Sequence, residues 1–246
     1  MTSSTKPDIR QPGAEGADEQ RTGAATSGLV VALALAALFA GWTWFIAGPL
    51  HGMRIDRMLN RDYDIRPYVD VLRALDRIGQ RAVCLPILGV VAAAVGWRHR
   101  SMRPVLISVS AVIAVNLCVL VLKLWLGRGA PVDHKPRFFV DGQAYPSGHS
   151  SNIVAVYGTA AYLIWRYTAA NKRIRLALVV VVTVLAVVMT ATSTLLGWHW
   201  FGDLIAGFLV GGVVLAFTVA FDRAVPFQTN RPASTPEGDP AAQHPT

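Results

Sequence analysis

The apolar residues of this chain fall into blocks rather than into a two- or three-residue rhythm. Six blocks stand out, at 28–47, 82–97, 104–126, 147–167, 176–196 and 203–221. A helix needs about 20 apolar residues to cross a bilayer core, and a helix satisfies its own backbone polar groups there. The pattern predicts an all-α fold, a polytopic membrane helical bundle of about six transmembrane helices. The second block is short and contains Pro86, which blurs its ends. Residues 1–27 are polar and read as a disordered tail. That tail is too long and too acidic for the n-region of a secretory signal, so the first block is expected to be a retained anchor. Residues 222–246, rich in Pro, Thr and Gln, read as a second disordered tail. The expected organisation is thus a cytoplasmic tail (1–27), a six-span membrane domain (28–221) and a second cytoplasmic tail (222–246).

The stretch 51–81 breaks the apolar pattern. It mixes Arg and Asp with Val69, Leu72, Leu75 and Ile78 at helical spacing. Two structures fit it: a short amphipathic helix lying at the membrane interface, or a loop packed on the bundle.

Composition supports the membrane reading. The chain is 53% hydrophobic and 15% charged, where soluble domains carry about 25% charged residues. The formal charge is +8, but no basic motif of the nucleic-acid readers is present, so no nucleic-acid partner is expected. The arginines instead flank apolar blocks, where they orient a span and attract anionic headgroups. The basic connectors 98–103 and 166–175 fall on the same side as both termini, which makes that side cytoplasmic. The arginines of 51–81 weigh against this assignment, because acids such as Asp56 and Asp76 do little to offset them in the positive-inside rule. Cys84 and Cys118 both lie inside apolar blocks and read as small core hydrophobes.

Three polar clusters interrupt the blocks: Lys123 to Pro131, Tyr145 to His149, and Gly197 to Asp203. The six-span count puts all three on one face, the extracytoplasmic one. In the third cluster His199 and Asp203 are four apart, which on a helix places them on one face. A carboxylate on one ring nitrogen raises the basicity of the other, making His199 a candidate nucleophile. An interfacial histidine between the belt residues Trp198 and Trp200 is the structural alternative. In the second cluster Pro146 suits a helix start. Ser147 and Gly148 then leave backbone N–H groups free for an anion, with His149 beside them as a proton donor; an ordinary N-cap serine is the alternative. In the first cluster Lys123 and Arg128 supply positive charge, or snorkel to headgroups. Together these groups suit phosphoryl transfer, where stabilising negative charge is most of the task.

These residues resemble the type 2 phosphatidic acid phosphatase family, which is similar in core and site to bacterial acid phosphatases and vanadium-dependent haloperoxidases. Its signature is a Lys followed seven residues later by Arg-Pro, then Pro-Ser-Gly-His, then Ser-Arg with His six further on and Asp four beyond. Lys123, Pro131, the string Pro146-Ser147-Gly148-His149, His199 and Asp203 match in type and spacing. The resemblance spans residues 54–221. Two positions depart from it: Ala130 and Ser193 stand where the family has arginines that contact phosphate. Arg128, two positions early, is the expected replacement for one of them, with Lys135 and Arg137 as other candidates.

The resemblance implies a bacterial cell-membrane hydrolase needing no metal or other cofactor. His199 and His149 would be catalytic with Asp203, and Lys123, Arg128, Ser147 and Gly148 phosphate-binding. The implied substrate is a lipid-linked phosphate or diphosphate of the cell envelope, cleaved at the extracytoplasmic face through a phosphohistidine. The two departures keep open a non-catalytic member that binds lipid headgroups or a membrane partner. A zinc site of His149, His199 and Asp203 and a transporter are weaker rivals. Gly207-Phe-Leu-Val-Gly211 is a small-residue packing motif, expected to serve the chain's own bundle; oligomeric state is left open.

Overall fold

The structure, a computed structural model, describes residues 12–48, 52–60, 63–133 and 137–225. Among these the chain is helical and contains no strand. Its α-helices, in order, are α1 (Pro12–Ala47), α2 (Gly52–Leu59), α3 (Val69–Asp76), α4 (Arg81–His99), α5 (Arg103–Leu126), α6 (Gly148–Asn152), α7 (Gly158–Tyr167), α8 (Lys172–Leu195) and α9 (Phe201–Ala224).

Five of these are long and apolar enough to cross a membrane: Thr22–Ala47 within α1, and α4, α5, α8 and α9. The fourth expected span, 147–167, is helical but not as one regular helix. α6 passes into a π-helical turn, Ile153–Tyr157, and then into α7. A π turn carries an extra residue and shifts the phase of the side chains that follow it. The all-α multi-pass bundle expected from the apolar blocks is therefore the observed fold, with one span broken into three helical segments.

Two boundaries differ from expectation. α1 is already helical at Pro12, so a disordered tail reaching residue 27 does not describe this end. The intervening Ala, Glu, Gln and Arg are good helix formers and extend the span outward. α9 continues through Ala224, past the expected boundary at 221; residues 226–246 lie outside the described residues. Cys84 is buried, as expected, whereas Cys118 is exposed on the outer surface of α5.

α9 is the axis. Of its apolar stretch 44% is buried inside the protein, against 6% for α8 and 11% for α1. Leu, Val and Ile side chains on the other spans point outward, which in lipid costs nothing. The axis packs closely because it is rich in small residues. A Cβ on Gly207 would lie 2.5 Å from the Ser147 carbonyl oxygen, and one on Gly211 would lie 2.6 Å from that of Ser151. The Gly207–Gly211 motif therefore seats α9 against α6 within the same chain, at a distance that only glycine allows.

Within 51–81 the described residues form α2, α3 and the turn that follows α3, packed on the bundle. Of the expected amphipathic face, Val69, Leu72 and Ile78 are half-buried and Leu75 is exposed, while the fully buried groups are Asp56 and Asp76. The turn after α3 is pinned by Asn152 Nδ2, which donates to Gly79 O (3.0 Å), and by the Tyr157 hydroxyl, which donates to Ile78 O (2.9 Å).

Replacing Gly207 or Gly211 with Val should lower thermal stability in detergent by about 1–3 kcal/mol through overpacking. Gly89→Ala, where nothing lies within 4 Å of the added methyl, should raise it by roughly 0.5–1 kcal/mol. Equal melting temperatures for all three variants would remove the close-packed axis from the account.

Candidate active site

The site is assembled where α5 ends and α6 and α9 begin. α5 closes at Gly127, whose φ of +38° is a left-handed conformation suited to glycine. A Cβ there would lie 2.4 Å from the Val140 carbonyl oxygen. The chain doubles back along itself: Phe139 N donates to Leu126 O (2.8 Å), Val140 N to Gly127 O (2.9 Å) and Ala144 N to Arg128 O (2.9 Å). This ladder turns the Arg128 side chain into the protein.

Arg128 is wholly buried. Its two terminal nitrogens reach Asp203 Oδ1 and Asp56 Oδ2, each at 2.5 Å. The guanidinium lies 4.9 Å from the ring centre of Phe138 and 5.7 Å from that of Trp200. Asp56 Oδ1 also accepts from Gly202 N (2.8 Å) and Asp203 Oδ2 from Trp200 N (3.0 Å). Burial pushes the Asp56 carboxyl above its ordinary range, with Arg128 pulling the other way. Arg128 is thus a buried structural cation that fixes the start of α9, and it does not line the cavity in which an anion could sit. Its expected role in phosphate binding is corrected accordingly.

His199 lies in the turn before α9, not on the helix. Asp203 stands in the first turn of α9 and accepts the Trp200 N–H, so the four-residue spacing brings the pair together through a helix start rather than along a helical face. His199 Nδ1 lies 3.6 Å from Asp203 Oδ2 and has no hydrogen-bond partner among the described residues. Asn60 braces the turn, donating to His199 O (2.9 Å) and accepting from Phe201 N (3.3 Å). The second and third clusters are joined by a backbone bond, from Ser147 N to Asp203 O (3.0 Å).

The His149 and His199 rings face each other, with centroids 6.3 Å apart and planes inclined at 68°. Beside them is a cavity of about 510 Å³ lined by Lys123, Gly148, both histidines and, unforeseen, Arg81 and Gln143. Lys123 Nζ donates to the Gln143 carbonyl oxygen. Ser147 is buried beneath the cavity and acts as the N-cap of α6, its Oγ accepting from Ser150 N (3.4 Å). It does not line the cavity, so the ordinary-cap alternative describes its hydroxyl better than phosphate binding does.

Of the expected site residues, then, Lys123, Gly148, His149 and His199 meet in one cavity, with Asp203 behind His199. Ser147 and Arg128 support it from within. Arg137 is exposed and does not line the cavity, and Lys135 lies outside the described residues. Arg81, Asp56 and Asp76 were missed by reasoning from sequence. Their signal was weak: a stretch rich in Arg and Asp on the same face as the three clusters, with nothing to rank one charge above another. Ser193, at one of the departed arginine positions, donates to Asp76 Oδ1 (2.5 Å).

Comparison with known proteins gives three likenesses. Residues 104–226 match the family model described as the PAP2 superfamily. Phosphatidylglycerophosphatase B of Bacillus subtilis (strain 168) is 24% identical over 156 residues, covering 63% of this chain and 76% of that protein. The crystal structure of the first transmembrane PAP2 type phosphatidylglycerolphosphate phosphatase from Bacillus subtilis superposes with a TM-score of 0.70 at 21% identity, covering 80% of this chain and 98% of that one; this likeness concerns the fold.

Arg128→Ala leaves two buried carboxylates without their cation and should cost about 3–5 kcal/mol, read as a large fall in melting temperature in detergent. Arg128→Lys, which cannot fork between two acids, should recover only part of it. A wild-type melting temperature for Arg128→Ala would refute the structural role.

Proposed function

The chain belongs to the PAP2 superfamily and is a multi-pass membrane phosphatase; from that premise we propose that it hydrolyses a lipid-linked phosphate or diphosphate through a phosphohistidine intermediate. The observation that carries the reading is the facing pair of imidazoles, 6.3 Å between centroids, beside a cavity with Lys123 and Arg81 in its wall.

In this reading Lys123 and Arg81 hold the phosphoryl oxygens, and the side-chain-free Gly148 lets the anion approach the backbone. Arg81 takes over charge stabilisation from the arginines that Ala130 and Ser193 replace. Among the described residues it has no ion pair or hydrogen-bonded partner, and it stands in the first turn of α4, where a cation is unfavourable unless an anion is near. The free ring nitrogen of His199, oriented by Asp203, attacks phosphorus. The bond from phosphorus to the lipid oxygen breaks, and His149 delivers its proton to that oxygen. Water then gives a proton to His149 and attacks the phosphorus–nitrogen bond, releasing inorganic phosphate and restoring both histidines.

The cavity opens near the ends of the spans, which suits a headgroup whose chains stay in lipid. Polyprenyl and phosphatidyl phosphates both fit, and the name of the Bacillus subtilis relative makes phosphatidylglycerol phosphate a member of the test panel. The basic connectors 98–103 and 166–175 favour cytoplasmic termini and a site on the extracytoplasmic face.

Purified protein in detergent should release phosphate from one or more of these lipids, with or without EDTA. His199→Ala should reduce release to background and His149→Ala should lower it by about 10²–10⁴-fold. Arg81→Gln should cut kcat/KM by on the order of 10²-fold without altering the melting temperature. Undiminished release by His199→Ala ends the proposal. Loss of activity in chelator favours a metal site, and headgroup binding without turnover favours a non-catalytic member.

A further inference from the structure

His149 faces a physical difficulty as a proton donor. It shares a cavity wall with Arg81 and Lys123, whose positive charges oppose the imidazolium form that donates a proton. The two cations come from the start of α4 and the end of α5, across the cavity from α6. Among the described residues, the carboxylate set against the His149 ring is that of Asp76.

Asp76 is the last residue of α3 and is fully buried. Ser193 Oγ donates to its Oδ1 at 2.5 Å. Its Oδ2 has no hydrogen-bond partner among the described residues and lies 3.7 Å from His149 Nε2. A buried carboxylate oxygen without a partner is costly, so its persistence calls for a reason. The backbone holds it there: the turn that follows is tied to Asn152 and Tyr157, and Gly79 is so close that a Cβ would lie 2.9 Å from that of His149. The arrangement mirrors the other half of the site, where Asp203 Oδ2 stands 3.6 Å from His199 Nδ1.

We propose that Asp76 is a positioning residue for His149, a second carboxylate–imidazole pair that holds the ring and balances its charge so that it can protonate the leaving lipid oxygen. This rests on the histidine phosphatase reading above. The step itself is unchanged: the proton passes from the His149 imidazolium to the alkoxide oxygen as the phosphorus–oxygen bond breaks, and Asp76 neither gives nor takes a proton in it. Ser193, in the position of a family arginine, then has its own use: its short hydroxyl orients Asp76, where a guanidinium would pair with that carboxylate and draw it from His149.

The test compares Asp76→Asn with wild type on two substrates, an alkyl phosphate and a nitrophenyl phosphate. An alkoxide needs protonation to leave; a nitrophenolate does not. For the alkyl ester kcat/KM should fall by on the order of 10²-fold, and for the nitrophenyl ester only a few-fold. The alkaline limb of kcat/KM for the alkyl ester should move to lower pH, because without the carboxylate the imidazolium gives up its proton sooner. Equal losses on both esters with an unmoved limb make Asp76 merely structural and overturn the inference, as does no loss at all. Should Asp76→Asn fail to fold, Ser193→Ala keeps the carboxylate but frees its anchor, and should show the same selective loss to a smaller degree. His199→Ala separates the two ideas. If it is inactive on both esters while Asp76→Asn shows no selectivity, only this inference fails; if it remains active, the underlying reading fails.

Discussion

The ion triad at Arg128 is the constraint on which the site depends. One guanidinium, sealed from solvent, holds Asp56 of α2 and Asp203 of α9. Moving three charges out of water is expensive, and their mutual attraction repays that only with near-ideal geometry. The triad has that geometry: a forked donor, two carboxylates, and further N–H donors from Gly202 and Trp200 on the remaining oxygens. Its yield is position rather than net stability. Asp203 is fixed from one side by Arg128 and from the other by its own helix start, so the carboxylate behind His199 has little freedom. α2 is tied to the bundle by the same contact.

Around this anchor the charges separate into two layers. Carboxylates stand behind the rings: Asp203 behind His199, Asp76 behind His149. Cations stand in front, with Lys123 and Arg81 in the cavity wall. In the proposed reaction an incoming phosphate would meet positive charge and two imidazoles, with the acids set behind the rings. A site ordered this way can lose two motif arginines and keep its sign, provided another cation reaches the same space. Arg81 reaches it from the first turn of α4, brought there by the turn that also carries Asp76.

The membrane sets the rest. Apolar side chains on the outer faces of α1, α5 and α8 gain nothing by turning inward, because lipid solvates them as well as a core does. Cohesion falls to close packing and buried polar contacts. Gly207 and Gly211 let α9 approach α6 within backbone contact. That approach brings the Pro146–His149 cluster to the start of α9, and Ser147 N then bonds Asp203 O.

The sequence by itself determined the solvent of this protein, its all-helical multi-pass architecture, and the two histidines, acid and lysine that the structure brings together. Block length and motif spacing are local properties, and local order is enough to read them. The break in the fourth segment escaped that reading, because a π turn leaves the apolar run unchanged. Only the tertiary structure decided which charges serve which purpose. Arg128 looked like a phosphate ligand and proved to be a buried strut, since the ladder after Gly127 turns it inward. Ser147 became a cap rather than a ligand. Asp56, Asp76 and Arg81 sat in a stretch where acids and bases alternate without a readable period. Which of them enters the protein depends on contacts with segments up to about 150 residues away in sequence, and a charge acquires its role from what faces it in space, a relation that no neighbouring residue along the chain encodes.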